Sequence, residues 1–107
     1  KELITFEDFS KVELRVAQVI EAKKIPKSKK LLELKVDLGF EKRTIVSGIV
    51  PHYDPEAIIG KKVIVLTNLK PTKIMGIQSE GMLLVGSSNS EMEIPSFERL
   101  PLGSIIS

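Results

Sequence analysis

The chain has no cysteine and no tryptophan, one histidine, and only four phenylalanines and one tyrosine among 107 residues. Without thiols there are no disulfides, thiolate metal sites or cysteine nucleophiles; this suits a reducing compartment, and a cytoplasmic location is expected. The lone imidazole, His52, stands between Pro51 and Tyr53 in a turn-like stretch. With no nucleophile or orienting acid placed for it, His52 reads as an exposed loop residue and not as a general base. Gly76-Ile77-Gln78-Ser79-Glu80-Gly81 misses the G-x-S-x-G elbow by one residue on its upstream side. A P-loop, a dinucleotide fingerprint and clustered carboxylates are also missing, so no catalytic residue, cofactor or metal is expected. No window approaches the roughly 20 apolar residues of a membrane span, and the first thirty positions lack the apolar stretch of a secretion signal. The few aromatics, with Phe6, Phe9 and Phe97 outside the strands, argue against a platform for stacking bases.

What is present suits one globular domain over residues 1–107, with 42% hydrophobic and 28% charged residues. The first residue, Lys1, suggests a piece of a longer chain and hence an appended module. A net charge of +2 conceals a polarity: residues 11–73 hold 14 of the 16 Lys and Arg against 7 of the 14 Asp and Glu, a surplus of +7. The flanks are acidic. Charge segregated in this way favours a polyanionic partner, although lysines also serve simply to protect and solubilise strand edges.

Thr5, with Asp8 three positions on, forms a capping-box variant and predicts a helical turn within residues 1–11, with Phe6 and Phe9 packed onto the next segment of chain. Val12, Leu14 and Val16 then alternate inward against Lys11, Glu13 and Arg15, until the phase slips: Ala17 and Val19 take over and Ile20 and Ala22 follow, as at a bulge or sharp coil in a long strand. Lys23 to Lys30 is a basic loop with five lysines in eight residues. Leu32, Leu34, Val36 and Leu38 mark the clearest strand, and Lys42 to Ile49 its antiparallel partner. Pro55 to Gly60 predicts a short helix; Val63 to Thr67 and Met82 to Val85 predict two buried strands joined by Asn68 to Gly81; residues 87–107 form a less regular C-terminal extension. Five strands with a helix between the third and fourth point to an all-β, five-stranded Greek-key barrel of the oligonucleotide/oligosaccharide-binding (OB) type. An SH3-like barrel or a small α+β sheet fits less well.

Lys23, Lys24, Lys27, Lys29 and Lys30, with Arg43, Lys70 and Lys73, supply phosphate contacts if one barrel face gathers them. Arg43, read as outward in alternation with Ile45, reaches phosphate or else pairs with Glu33 or Asp37. Asn68, Lys70 and Lys73 fall in the connection between the fourth and fifth strands, a loop such barrels use for ligands.

Four ordered blocks carry a resemblance: Leu34-Lys35-Val36-Asp37-Leu38-Gly39; Arg43-Thr44-Ile45-Val46-Ser47-Gly48-Ile49; Asn68-Leu69-Lys70-Pro71; and Gly76-Ile77-Gln78-Ser79-Glu80-Gly81-Met82. Together they resemble the tRNA-binding domain family, which includes the C-terminal domain of methionyl-tRNA synthetases, free-standing structure-specific tRNA-binding proteins and the endothelial monocyte-activating polypeptide domain. The match runs from about Phe9 to Val85. The resemblance implies an OB barrel that grips the outer corner of tRNA by shape, acts as a homodimer, and serves a separate synthetase catalytic domain without chemistry of its own. Taken with the charged residues above, the expected tRNA contacts are Lys27, Lys30, Arg43, Asn68, Lys70, Lys73, Ser79 and Met82, of which the resemblance places the block Ser79 to Met82 in the binding region. Ser79 would donate to phosphate or ribose, Glu80 would cap backbone amides or orient a lysine, and Met82 would meet a nucleotide or fill core. Where many relatives carry a His-Pro motif followed by Asp-Lys-Leu, this chain has Ile25-Pro26-Lys27-Ser28-Lys29-Lys30-Leu31, so the histidine and aspartate roles do not transfer and positive charge rises. The rival readings are an export-related chaperone or protein-interaction dimer on the same barrel, and a generic single-strand binder.

Overall fold

The computed structural model describes residues 1–49 and 53–107; His52 lies outside them. In chain order the elements are α1 (Phe6–Ser10), β1 (Leu14–Lys24), β2 (Leu32–Asp37), β3 (Lys42–Ser47), α2 (Pro55–Ile58), β4 (Lys62–Leu66), β5 (Thr72–Ile74), β6 (Ile77–Ser79), β7 (Met82–Leu83), β8 (Gly86–Ser87), β9 (Met92–Glu93) and β10 (Ile105–Ile106). The main sheet runs β3-β2-β1-β4-β7, with every neighbouring pair antiparallel. It curls into the expected OB-type barrel.

The long strand β1 belongs to both halves of the sheet, pairing with β4 over Leu14–Gln18 and with β2 over Gln18–Lys24. The bulge falls at Ile20, because the register steps from Val19↔Val36 to Glu21↔Lys35. Of the two slips of phase in the sequence, the one at Val19/Ile20 is therefore the bulge, and the one at Val16/Ala17 is not, because the pairing with β4 is continuous there. Val16 and Ala17 are both 0% exposed, so the slip of phase between them reflects a strand buried on its two faces.

Leu32, Leu34, Val36 and Leu38 are all fully buried, as their alternation predicts, and join Ala17, Val19, Ile45, Val63, Val65 and Leu83 in one core. Burial of each Leu, Ile or Val among them contributes on the order of 1.5–3 kcal/mol. Pro55 opens α2 at its first turn, and Ile58 plugs the core from that helix.

Three features depart from the expectation. First, the connection from Asn68 to Gly81 contains a hairpin, β5–β6, whose two-residue turn puts Met75 at φ 52° and Gly76 at φ 80°, the geometry of a type I′ turn. Second, the C-terminal extension folds back as an edge: Val16 N–H donates to Ser104 O (2.9 Å), Gly103 N–H donates to Val16 O (2.8 Å), and β10 pairs with Leu14–Arg15. Gly103 is required at this crossing, since a Cβ there would stand 2.7 Å from Leu38 O. Third, Thr5 and Asp8 do form a reciprocal capping box on α1, yet Phe6 and Phe9 do not pack inward and are 82% and 44% exposed.

Candidate nucleic-acid interface

The barrel closes where β3 meets the segment after β6. Glu80 N–H donates to Thr44 O (2.8 Å), and Val46 N–H donates to the Ser79 hydroxyl (3.0 Å), which itself donates to Gly81 O (3.2 Å). Ser79 is 3% exposed. The hydroxyl expected to meet phosphate therefore holds the seam of the barrel, with both of its hydrogen-bonding functions engaged. Glu80 caps a backbone amide, its carboxylate accepting from Thr44 N–H at 3.4 Å.

Arg43 also belongs to the seam. Residues two apart on a strand share a face, so Arg43 points to the same side as Ile45, not the opposite one, and it stands opposite Val36 in the register. From the inward face at the barrel's end its guanidinium donates to Thr67 O and to Glu80 O (3.3 Å) and pairs with Glu41 (3.0 Å). Its carboxylate partner is thus Glu41, and neither Glu33 nor Asp37. Arg15, likewise expected outward, lines up with Val65 and does the same at its own edge, donating to Gly103 O (2.7 Å) with its guanidinium 5.3 Å from the Phe40 ring centroid. Asn68 ties the start of β1 to the end of β4: its carbonyl oxygen accepts from Glu13 N–H (2.9 Å), and its amide nitrogen donates to Lys11 O. Met82 is exposed, but it heads an aligned row with Leu66, Leu14 and Ile106 that leads to the chain termini.

The remaining four expected residues, Lys27, Lys30, Lys70 and Lys73, are all exposed. Among the described residues no carboxylate lies within ion-pair distance of them, whereas Lys23 approaches Glu33 at 3.9 Å. The basic loop that carries the first two is built, not slack. Ile25 is buried, its N–H donates to Leu31 O (3.3 Å), and Ser28 N–H closes a turn onto Ile25 O (3.1 Å). Pro26 and Lys27 occupy the central positions, with Lys27 at φ 69°, the pattern of a type II turn whose second central residue is ordinarily glycine. The Ser28 hydroxyl then accepts from Lys30 N–H (3.3 Å) and Leu31 N–H (3.2 Å). A lysine held in left-handed backbone costs roughly 1–2 kcal/mol and fixes where its stem leaves the surface.

The β5–β6 hairpin carries Lys73 to the same end of the barrel. Since Glu80 bonds opposite Thr44 and Ser79 opposite Val46, β6 runs antiparallel to β3, and its start lies toward the end of β3. There Gly48 sits against Lys30 O and Leu31, at 3.8 and 3.9 Å from the position of a Cβ. The structure therefore brings the basic loop and the hairpin tip to one end, with Lys70 further back toward Arg43. This hairpin, with Met75 and Gly76 at its tip, was not anticipated from the sequence; the signal was the Ile74-Met75-Gly76-Ile77 spacing of a two-residue turn. Unpaired lysines on fixed loops attract phosphate as point charges without demanding one geometry.

Comparison with known proteins names the ligand class. The family model described as "Putative tRNA binding domain" matches residues 14–103. The chain belongs to this family. This tRNA-binding domain is 50% identical, over 98% of its length, to a methionine–tRNA ligase of Methanococcus aeolicus. It spans only about one sixth of that protein, 16% of its length. The solved structure of a methionyl-tRNA synthetase related protein from Pyrococcus horikoshii matches all of both chains at 38% identity with a TM-score of 0.95. The chaperone CsaA of Bacillus anthracis matches 99% of this chain and 100% of its own at 28% identity with a TM-score of 0.89.

Proposed function

We propose that this tRNA-binding domain is the non-catalytic RNA-holding module of a cytoplasmic methionyl-tRNA synthetase, gripping the elbow of tRNA by shape and charge. The reading is supported by exposed, unpaired lysines on two loops that the strand register directs to one end of the barrel, Lys27 and Lys30 on one and Lys73 on the other, with Lys70 in the same connection as Lys73. Arg43, Asn68 and Ser79 support the grip indirectly, by holding the barrel that aims the loops. A separate catalytic domain gains from the module through effective concentration, so modest affinity is sufficient.

The test is a salt titration of binding to folded tRNA, to the same tRNA denatured, and to a single-stranded RNA of equal length. Each phosphate neutralised adds about −0.7 to −0.9 to the slope of log affinity against log salt. Replacing Lys27, Lys30, Lys70 and Lys73 together by Ala should remove about three units of slope while leaving the melting temperature in place. Equal binding of folded and unstructured RNA would favour a generic single-strand binder. Binding of an unfolded client that ignores salt would favour the chaperone reading, to which the likeness to CsaA lends weight.

The module is also proposed to act as a homodimer. Leu3, Ile4, Phe6, Phe9, Val12 and Ile105 are large apolar residues exposed on the segments before β1 and on β10. Phe6, Phe9, Val12, Leu14 and Ile106 line one groove there. A second copy covering this face would bury aromatics that one protomer leaves in water. Phe6→Ser with Phe9→Ser should shift gel-filtration elution from dimer to monomer; unchanged elution as a dimer would place the interface elsewhere.

A further inference from the structure

Among the described residues only two that are not glycine hold left-handed backbone, Lys27 at φ 69° and Met75 at φ 52°, and the register of β6 on β3 puts their two loops toward the same end of the barrel. A type I′ turn requires positive φ at Met75, and Asn, Asp or Gly satisfies that requirement without a bulky side chain. Methionine is a poor choice there unless its side chain is useful. It contributes nothing to the core: Met75 is 51% exposed and lies outside the buried cluster. Strained residues that packing does not explain concentrate at ligand-contacting positions. The chemistry around Met75 points to a ligand that is both anionic and apolar in part, for Lys73 stands two residues before it and the basic loop faces the same end.

We propose that Met75 is a recognition residue that lays its thioether against an unpaired nucleobase of the folded RNA while the neighbouring lysines hold the phosphates. This rests on the tRNA-binding reading and adds to it a contact that charge cannot supply. Phosphate contacts are indifferent to whether a base is stacked within a helix or exposed; an apolar tip is not. A flexible, polarisable sulfur suits this task because it contacts the face or edge of any base without hydrogen-bond reading.

The experiment compares wild type, Met75→Gly and Met75→Asn for binding to folded tRNA and to a fully paired RNA duplex of similar length, each across a salt series. Both replacements accept left-handed backbone, so the hairpin is retained and the melting temperature should hold or rise. Affinity for folded tRNA is expected to fall roughly three- to tenfold in both variants. The salt slope should stay at the wild-type value, since no charge is removed. Duplex binding should not change. Wild-type affinity for folded tRNA in either variant would overturn the proposal while leaving the lysine interface intact. An equal loss on the duplex would overturn the assignment to an unpaired base. If the wild-type protein shows no salt-dependent binding to tRNA, the parent reading and this one fall together.

Discussion

Replacing Ser79 by Ala separates a seam residue from a ligand contact. In the folded protein its oxygen accepts from Val46 N–H at 3.0 Å and donates to Gly81 O at 3.2 Å, and the residue is 3% exposed. Alanine keeps the backbone and nearly the volume but leaves the Val46 amide buried without a partner. An orphaned buried donor costs about 1–3 kcal/mol, and since the bond to Gly81 is lost as well the expected cost lies in the upper part of that range, about 2–3 kcal/mol. For a domain of this size that is a fall of about 10 to 20 °C in melting temperature, measured at one fixed protein concentration because any self-association would stabilise the fold. Binding of tRNA, assayed well below the new midpoint, should keep its affinity within about twofold and its salt slope unchanged. A melting temperature equal to wild type with clearly weakened tRNA binding would refute the seam role and return Ser79 to the interface.

Arg43→Ala should destabilise the domain by about 2–3 kcal/mol, read from urea midpoints, because charged donors to the carbonyls of Thr67 and Glu80 are lost from a side chain only 20% exposed. Its tRNA salt slope should stay at wild type, where a phosphate contact would lower it by about one. Gly81→Ala should be more damaging, on the order of 3 kcal/mol or unfolding outright in a thermal melt, since Gly81 holds φ +148° and a Cβ would stand 2.7 Å from Leu66 O. Lys27→Gly should move stability and binding in opposite directions: about 0.5–1 kcal/mol more stable through relief of the left-handed residue, with the tRNA salt slope reduced by about one.

The barrel is legible because its strands are amphipathic with period two: the three inward positions of β2, Leu32, Leu34 and Val36, are all fully buried, as is Leu38 just beyond its end. Parity misleads at charged residues. Their charge assigns Arg15 and Arg43 to the outer face, yet they fall in register with Val65 and Val36 and extend over the rim of the barrel to bond carbonyls. A long side chain at a barrel end satisfies an inward position without burying its charge, so composition alone misjudges it. The termini are illegible for a different reason: the pairing of β10 with β1 joins residues about ninety positions apart, which no local pattern encodes.

The candidate site divides along the same line. The block Gly76–Met82 carries much of the family resemblance, but its Ser79, Glu80 and Gly81 form the closing seam, where hydrogen bonds to Val46 and Thr44 and the lack of a Cβ each admit few alternatives. The exposed lysines of Lys23–Lys30 and of the hairpin meet no such constraint, because a cation on a flexible stem attracts phosphate from many positions. Residues that make a motif recognisable are those that geometry forces, and here geometry forces the barrel's closure. The proposed ligand contacts, the lysines and Met75, depend on which end of the barrel their loop reaches, so they are read from the register and not from the motif.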